Sequence, residues 1–336
     1  MTQSFHMNPR RLVFHSAIAG LLIAVPGALS AKADADSSAT ANTPPAETAE
    51  SGDTPSIIER KLVDVAQDSE KLFSEMGTGN LNQEDFERKI LDLSYRYDEL
   101  IARNPHNINT LILYGKFLRR IGKNDQANVM FVHADQLSPD IAVVKQQLGN
   151  YLAEEGNYDE ALKYYRKAID LAPKEAVYHY GMGELLATFR DKFAADGTFS
   201  SKDADAQSLA EFKKAAELDP ENKDFSFRYG QAFFDVSESD WNVALSFWEK
   251  MAERKTLTHT ERDAVRLYRA RVCCELGRGK EARELLTADV VPILGATRAG
   301  LLKRLAMENT VKEDKANAAI MAPSKQEAAK DSSTGK

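Results

Sequence analysis

One spacing constrains this chain more than anything else in it. Gly115 and Gly149, Ala127 and Ala161, Phe131 and Tyr165, and Ala134 and Ala168 each stand 34 residues apart, and Pro105, Pro139 and Pro173 follow one another at the same interval. Such registers describe a chain of stacked units, each too small to bury its own apolar faces, so that stability comes from neighbour packed on neighbour. Small residues allow two helix axes to approach closely, and the aromatics fill the space between units. Proline lacks an N–H and pushes the residue before it out of helical space, so Pro105, Pro139, Pro173 and Pro220 mark helix ends.

The pattern resembles the tetratricopeptide repeat, in which a small residue in a first helix is followed by Ala, an aromatic, Ala and a closing Pro in a second. On this phase the first full repeat spans 108–139 with Leu111, Tyr114, Gly115, Leu118, Gly122, Ala127, Phe131, Ala134 and Pro139. The second spans 142–173 with Leu148, Gly149, Leu152, Gly156, Ala161, Tyr165, Ala168 and Pro173 and fits best. The third, 176–220, starts with Met182, Gly183 and Leu186 and resumes at Ser208, Phe212, Ala215 and Pro220, leaving an insert over 189–204 that is expected to be a solvated loop. The fourth, 223–256, carries Tyr229, Gly230, Phe233, Ala244, Trp248 and Met251, and the fifth, 263–290, carries Ala270, Cys273, Gly277, Ala282 and Leu286. A partial repeat over 74–105, with Leu93, Tyr97 and Leu100, has the apolar-periodic stretch Ile57 to Phe73 as partner, and a capping helix is expected at 290–308. The resemblance implies an all-α fold: an α-solenoid of antiparallel helix pairs in a right-handed superhelix over 56–308, with about five repeats and flanking helices.

The ends differ in character. Arg10-Arg11, an apolar run from Leu12 through Leu29 and Ala31-Lys32-Ala33 form the pattern of a signal peptide over 1–33, cleaved after Ala33 or, second, after Ser30. An uncleaved anchor is the alternative, since Leu12 to Ala31 is long enough to cross a bilayer. Residues 34–55 and 309–336 have the composition of a disordered linker and tail. The expected location is therefore periplasmic or secreted, or anchored if the segment is kept.

Charge and cysteine count exclude whole classes. With 44 basic and 51 acidic residues the net charge is −7, the wrong sign for a protein that neutralises phosphates, so no nucleic-acid partner is expected. Loss of 1–33 removes Arg10, Arg11 and Lys32 and no acid, leaving 41 against 51, or −10. Cys273 and Cys274 are adjacent and are the only cysteines, which rules out a disulfide framework; they read as one core thiol and one neighbour. Gly277-Arg278-Gly279-Lys280 is followed by Glu281 where a phosphate loop needs Ser or Thr. Between Asp191 and Asp205, Lys192 and Ala194 stand where a calcium loop needs oxygen ligands. The six histidines lack ligand spacing, so neither a metal, a cofactor nor an enzymatic activity is expected.

The resemblance further implies that first helices line a concave groove that receives an extended peptide or a helix. The candidate groove residues are Asn109, Ile112, Lys116 and Arg119; Gln146 and Asn150; Tyr180 and Glu184; and Phe227, Gln231 and Phe234. Tyr180, Phe227 and Phe234 are candidate aromatic anchors, and Gln146, Asn150 and Tyr180 are expected to contact the peptide. Glu184 would repel the C-terminal carboxylate that one subgroup of the family grips, so that clamp is not expected. The leading reading is an exported, non-catalytic scaffold for a protein or peptide partner, with membrane contact only through a retained signal. A glycan- or peptidoglycan-binding module with Trp241, Tyr180 and Phe227 as stacking surfaces, or a non-catalytic subunit of an enzyme complex, are the alternatives.

Overall fold

A computed structural model describes residues 55–77, 79 and 81–321. The export segment, the linker up to residue 54 and the tail from 322 onward lie outside the described residues. Among the described residues the regular structure is entirely helical: α1 (Pro55–Gly77), α2 (Gln83–Arg103), α3 (Ile108–Arg120), α4 (Asn124–Leu137), α5 (Ala142–Glu154), α6 (Tyr158–Leu171), α7 (Ala176–Thr188), α8 (Arg190–Asp196), α9 (Ser201–Leu218), α10 (Lys223–Ala232), α11 (Trp241–Ala252), α12 (His259–Glu275), α13 (Gly279–Leu285), a short 3₁₀ turn (Pro292–Leu294) and α14 (Gly295–Met321). None of these helices is long and apolar enough to cross a membrane. The chain divides after Phe227 into two compact units.

Local chemistry explains where the helices stop. α2, α4, α6 and α9 each end two residues before a proline, and the cap residues Asn104, Ser138, Ala172 and Asp219 close the last turn with their own N–H. The turns inside the hairpins use glycine instead. Gly122 and Gly156, at φ +78° and +82°, let the next N–H reach back to the third-last carbonyl, Lys123 to Leu118 at 2.9 Å and Asn157 to Leu152 at 2.8 Å.

In the first unit α3 packs on α4, α5 on α6 and α7 on α9, and α4 meets α5 and α6 meets α7, giving the tetratricopeptide-type stack of antiparallel pairs. Each pair closes through a glycine facing an aromatic. A β-carbon at Gly115 would lie 2.8 Å from the Phe131 ring, one at Gly183 2.8 Å from Phe212, and one at Gly149 3.3 Å from Tyr165. Phe131, Tyr165 and Phe212 are all buried, so the clearance lets the axes approach. In the second unit Gly230 plays the same part against Trp248.

Three expectations are corrected. The insert is not a solvated loop: residues 190–196 form α8, whose Phe193 is fully buried, edge-on to Tyr158 (5.0 Å, 90°) and Phe199 (5.5 Å, 84°), while Phe189 stacks on Tyr158 (5.5 Å). Phe189 and Phe193 fall one turn apart and bury together. Gly197, at φ +81°, then ends α8, and the Ser200 hydroxyl accepts the Asp203 N–H at 3.1 Å to start α9. At the C-terminal side the last helix runs from Gly295 to Met321 and so continues beyond residue 309, where the composition suggests a tail. Cys273 and Cys274 are both buried free thiols, and burial raises both thiol pKa values, the opposite of a reactive cysteine.

Candidate functional site

An ion pair links α3 to α5, and α5 packs on α7; the candidate residues on these first helices are held by more bonds than their types suggest. Asn150 is 3% exposed, and its Oδ1 accepts the Tyr165 hydroxyl, which rises from α6 between α5 and α7. A β-carbon at Gly181 would sit 2.5 Å from the Tyr165 ring, so this glycine makes the passage possible. The charges of Arg119 on α3, Glu154 on α5 and Glu184 on α7 all act on that hydroxyl, whose pKa burial pushes well above the ordinary tyrosine range. Tyr165 therefore marks the place where α5 and α7 meet.

Around it the candidate residues separate by role. Arg119 is paired with Glu154 at 2.5 Å, both side chains largely buried, and Asn124 donates to the same carboxylate at 3.1 Å. This buried pair ties α3 to α5 and is spent on structure. Gln146, 7% exposed, accepts from the Gln147 amide at 2.8 Å, and Lys145 is paired with Asp135 at 2.7 Å. Lys116 is partly buried without a carboxylate in ion-pair range among the described residues, and burial lowers its pKa. Asn109 is exposed at the start of α3, Ile112 packs against the core, and Glu184 and Phe227 are half-buried.

Tyr180 is corrected from an exposed anchor to a core residue. It is 8% exposed, edge-on to Phe212 (5.8 Å) and packed on Phe225 (5.2 Å). The reason is α7 itself: Tyr178, His179, Tyr180, Met182, Leu185 and Leu186 are all buried, so this helix is covered on most of its surface. Gln146 and Asn150 are likewise corrected from open amides to buried ones that offer only an edge. Beside Tyr180, His179 is clamped between the Glu211 carboxylate on α9 (Nδ1 to Oε2, 2.6 Å) and the Pro173 carbonyl (Nε2 to O, 2.9 Å), and the carboxylate raises its pKa.

Gln231 and Phe234 belong to the second unit. Gln231 donates to the Tyr268 hydroxyl at 2.8 Å; Phe234 stacks on Tyr268 (5.9 Å), meets Trp241 (5.4 Å) and carries the Arg271 guanidinium 4.0 Å above its ring. Sequence reasoning missed Tyr165, Tyr268 and Arg271. Tyr165 did leave a signal: it stands where the neighbouring repeats carry Phe131 and Phe212, so a hydroxyl appears where packing needs only a ring. Among the described residues no group of three or more His, Cys, Asp or Glu is arranged to hold a metal ion.

Residues 142–175, covering α5 and α6, match the tetratricopeptide repeat family. Over 120 residues the chain is 28% identical to the DnaJ homolog subfamily C member 7 homolog of Schizosaccharomyces pombe; the match covers 32% of this chain and spans about a quarter of that relative's length, 25%. Among solved structures, YrrB, described as a TPR protein with an unusual peptide-binding site, is 16% identical over 64% of this chain and 97% of its own, with a TM-score of 0.47. PilF of Pseudomonas aeruginosa is 12% identical over 68% of this chain and 90% of its own, also at 0.47.

Proposed function

We propose that this chain, an all-helical stack carrying a tetratricopeptide repeat at 142–175, is an exported, non-catalytic scaffold that docks an extended segment or helix of another protein on the α3–α5–α7 face. One observation carries the reading: side chains on successive first helices are fixed in place, Asn150 of α5 by the Tyr165 hydroxyl that it accepts and Arg119 of α3 by its pair with Glu154 of α5. A surface fixed before binding loses little side-chain freedom when a partner arrives. The glycan reading is weaker, because Tyr180, one of its three stacking residues, is buried.

Two experiments test this. Recovery of co-purifying proteins on the full chain should fall when Asn109 and Lys116 are changed together to Ala, with a melting temperature no lower than the parent's; equal recovery would refute the docking face. Fractionation followed by N-terminal sequencing should find a chain starting at Asp34 outside the cytoplasm, and an intact Met1 chain in the cytoplasm would refute export.

A further inference from the structure

We infer that the segment taken by the α3–α5–α7 face carries an acidic side chain, whose carboxylate sits on the Lys116 ammonium while main-chain carbonyls take the free amide N–H groups of Asn150 and Gln146. This rests on the docking reading and adds the chemistry of the occupant. Lys116 is partly buried, and the charge that acts on it, Glu70, is itself held by Arg120 at 2.6 Å. The next cation along α3, Arg119, is committed to Glu154. An ammonium partly removed from water without an anion is unfavourable, and a carboxylate brought by a partner relieves that. The lowered Lys116 pKa reports the same unmet demand.

The amides supply the second half. Asn150 spends Oδ1 on Tyr165 and Gln146 spends Oε1 on Gln147, so each keeps its NH₂ donors, and both side chains are more than nine-tenths buried and so held in place. They stand one turn apart on α5, a rise of about 6 Å along the axis. Alternate carbonyls of an extended chain recur at roughly 6.6 Å, which matches. The Arg119–Glu154 bond establishes that side chains of α3 and α5 meet across the face, so a residue lying along α5 is within reach of Lys116.

The test uses the full chain, immobilised, against a positional-scanning library of short C-terminally amidated peptides and the same library with free C-termini. Amidated pools with Asp or Glu fixed at one position should be retained about tenfold or more over pools with Ala there, the scale of a hydrogen bond to a charged group. Lys116→Met should abolish that preference and Lys116→Arg should keep it. Retention without acid preference, or a preference unchanged in Lys116→Met, overturns the inference while leaving the docking face standing. Retention of free C-termini alone overturns it in favour of a terminal carboxylate. Retention of no pool at all overturns the docking reading along with it.

Discussion

Replacing Gly183 by Ala adds one methyl group to α7, and the structure gives it nowhere to go. The new β-carbon would lie 2.8 Å from two atoms of the Phe212 ring and 3.1 Å from a third, and Phe212 is 1% exposed, so the ring cannot swing into solvent. Helix propensity alone would favour Ala over Gly by about 1 kcal/mol. Overpacking a closed core costs roughly 1–3 kcal/mol, and contacts this short sit at the upper end, so the variant should lose about 1–2 kcal/mol net. Gly149 is the internal control. Its β-carbon would meet the Tyr165 ring at 3.3 Å, a contact that a shift of a few tenths of an ångström relieves, so propensity and strain should nearly cancel in Gly149→Ala. Gly149→Leu, which adds branches beyond that contact, should cost more than about 2 kcal/mol. Urea unfolding followed by far-ultraviolet circular dichroism measures all three within the first unit, and Gly183→Ala combined with Phe212→Leu should recover part of the loss. Equal stability of Gly183→Ala and Gly149→Ala, or a stabilised Gly183→Ala, would refute the glycine-to-aromatic account of the stacking.

Phe193→Ala should destabilise the first unit by about 3 kcal/mol or more, the range for an emptied aromatic site, whereas a solvated insert would give no change in the melt. Tyr165→Phe leaves the buried Asn150 oxygen without its donor and should cost about 1–3 kcal/mol in a thermal melt; no loss would remove that hydroxyl from its role. His179 has its pKa raised by Glu211, so the stability it contributes is complete below the unfolded value of about 6.5 and is lost as pH climbs through the folded value. Stability of the parent should therefore decline above about pH 6.5 more steeply than that of His179→Gln, and parallel profiles would contradict the clamp. Lys116→Met should melt at or above the parent temperature, since it removes a partly buried charge that no carboxylate among the described residues reaches at ion-pair distance; a marked drop would mean that the ammonium is bonded in the free protein.

How far the molecule was legible in the sequence depends on what each residue has to satisfy. The 34-residue interval, the closing prolines and the glycines opposite Phe131, Tyr165, Phe212 and Trp248 are steric requirements of close helix packing, and those can be read from residue size alone. The insert was obscured because Phe189, Phe193 and Phe199 belong to no repeat position, so their spacing had to be judged against each other, and three aromatics close in sequence will bury if a neighbour such as Tyr158 is at hand. The face was half legible. Its positions follow from the repeat, but exposure does not: Tyr180, Gln146 and Asn150 lie on first helices that neighbouring elements cover, and the cover is set by Tyr165 and Phe225, which approach from other helices. Lys116 and Arg119 look equivalent as sequence, one turn apart and both basic. Only the position of Glu154 shows that one is committed and the other is not.

The docking face itself is tested most directly by placing a photo-cross-linking amino acid at Asn109, exposed on α3, and separately at Lys163, exposed on the second helix α6. Irradiation of intact cells should give a discrete protein adduct from position 109 and none from 163. Adducts from 163 alone, or equal adducts from both, would contradict a partner seated on the first helices.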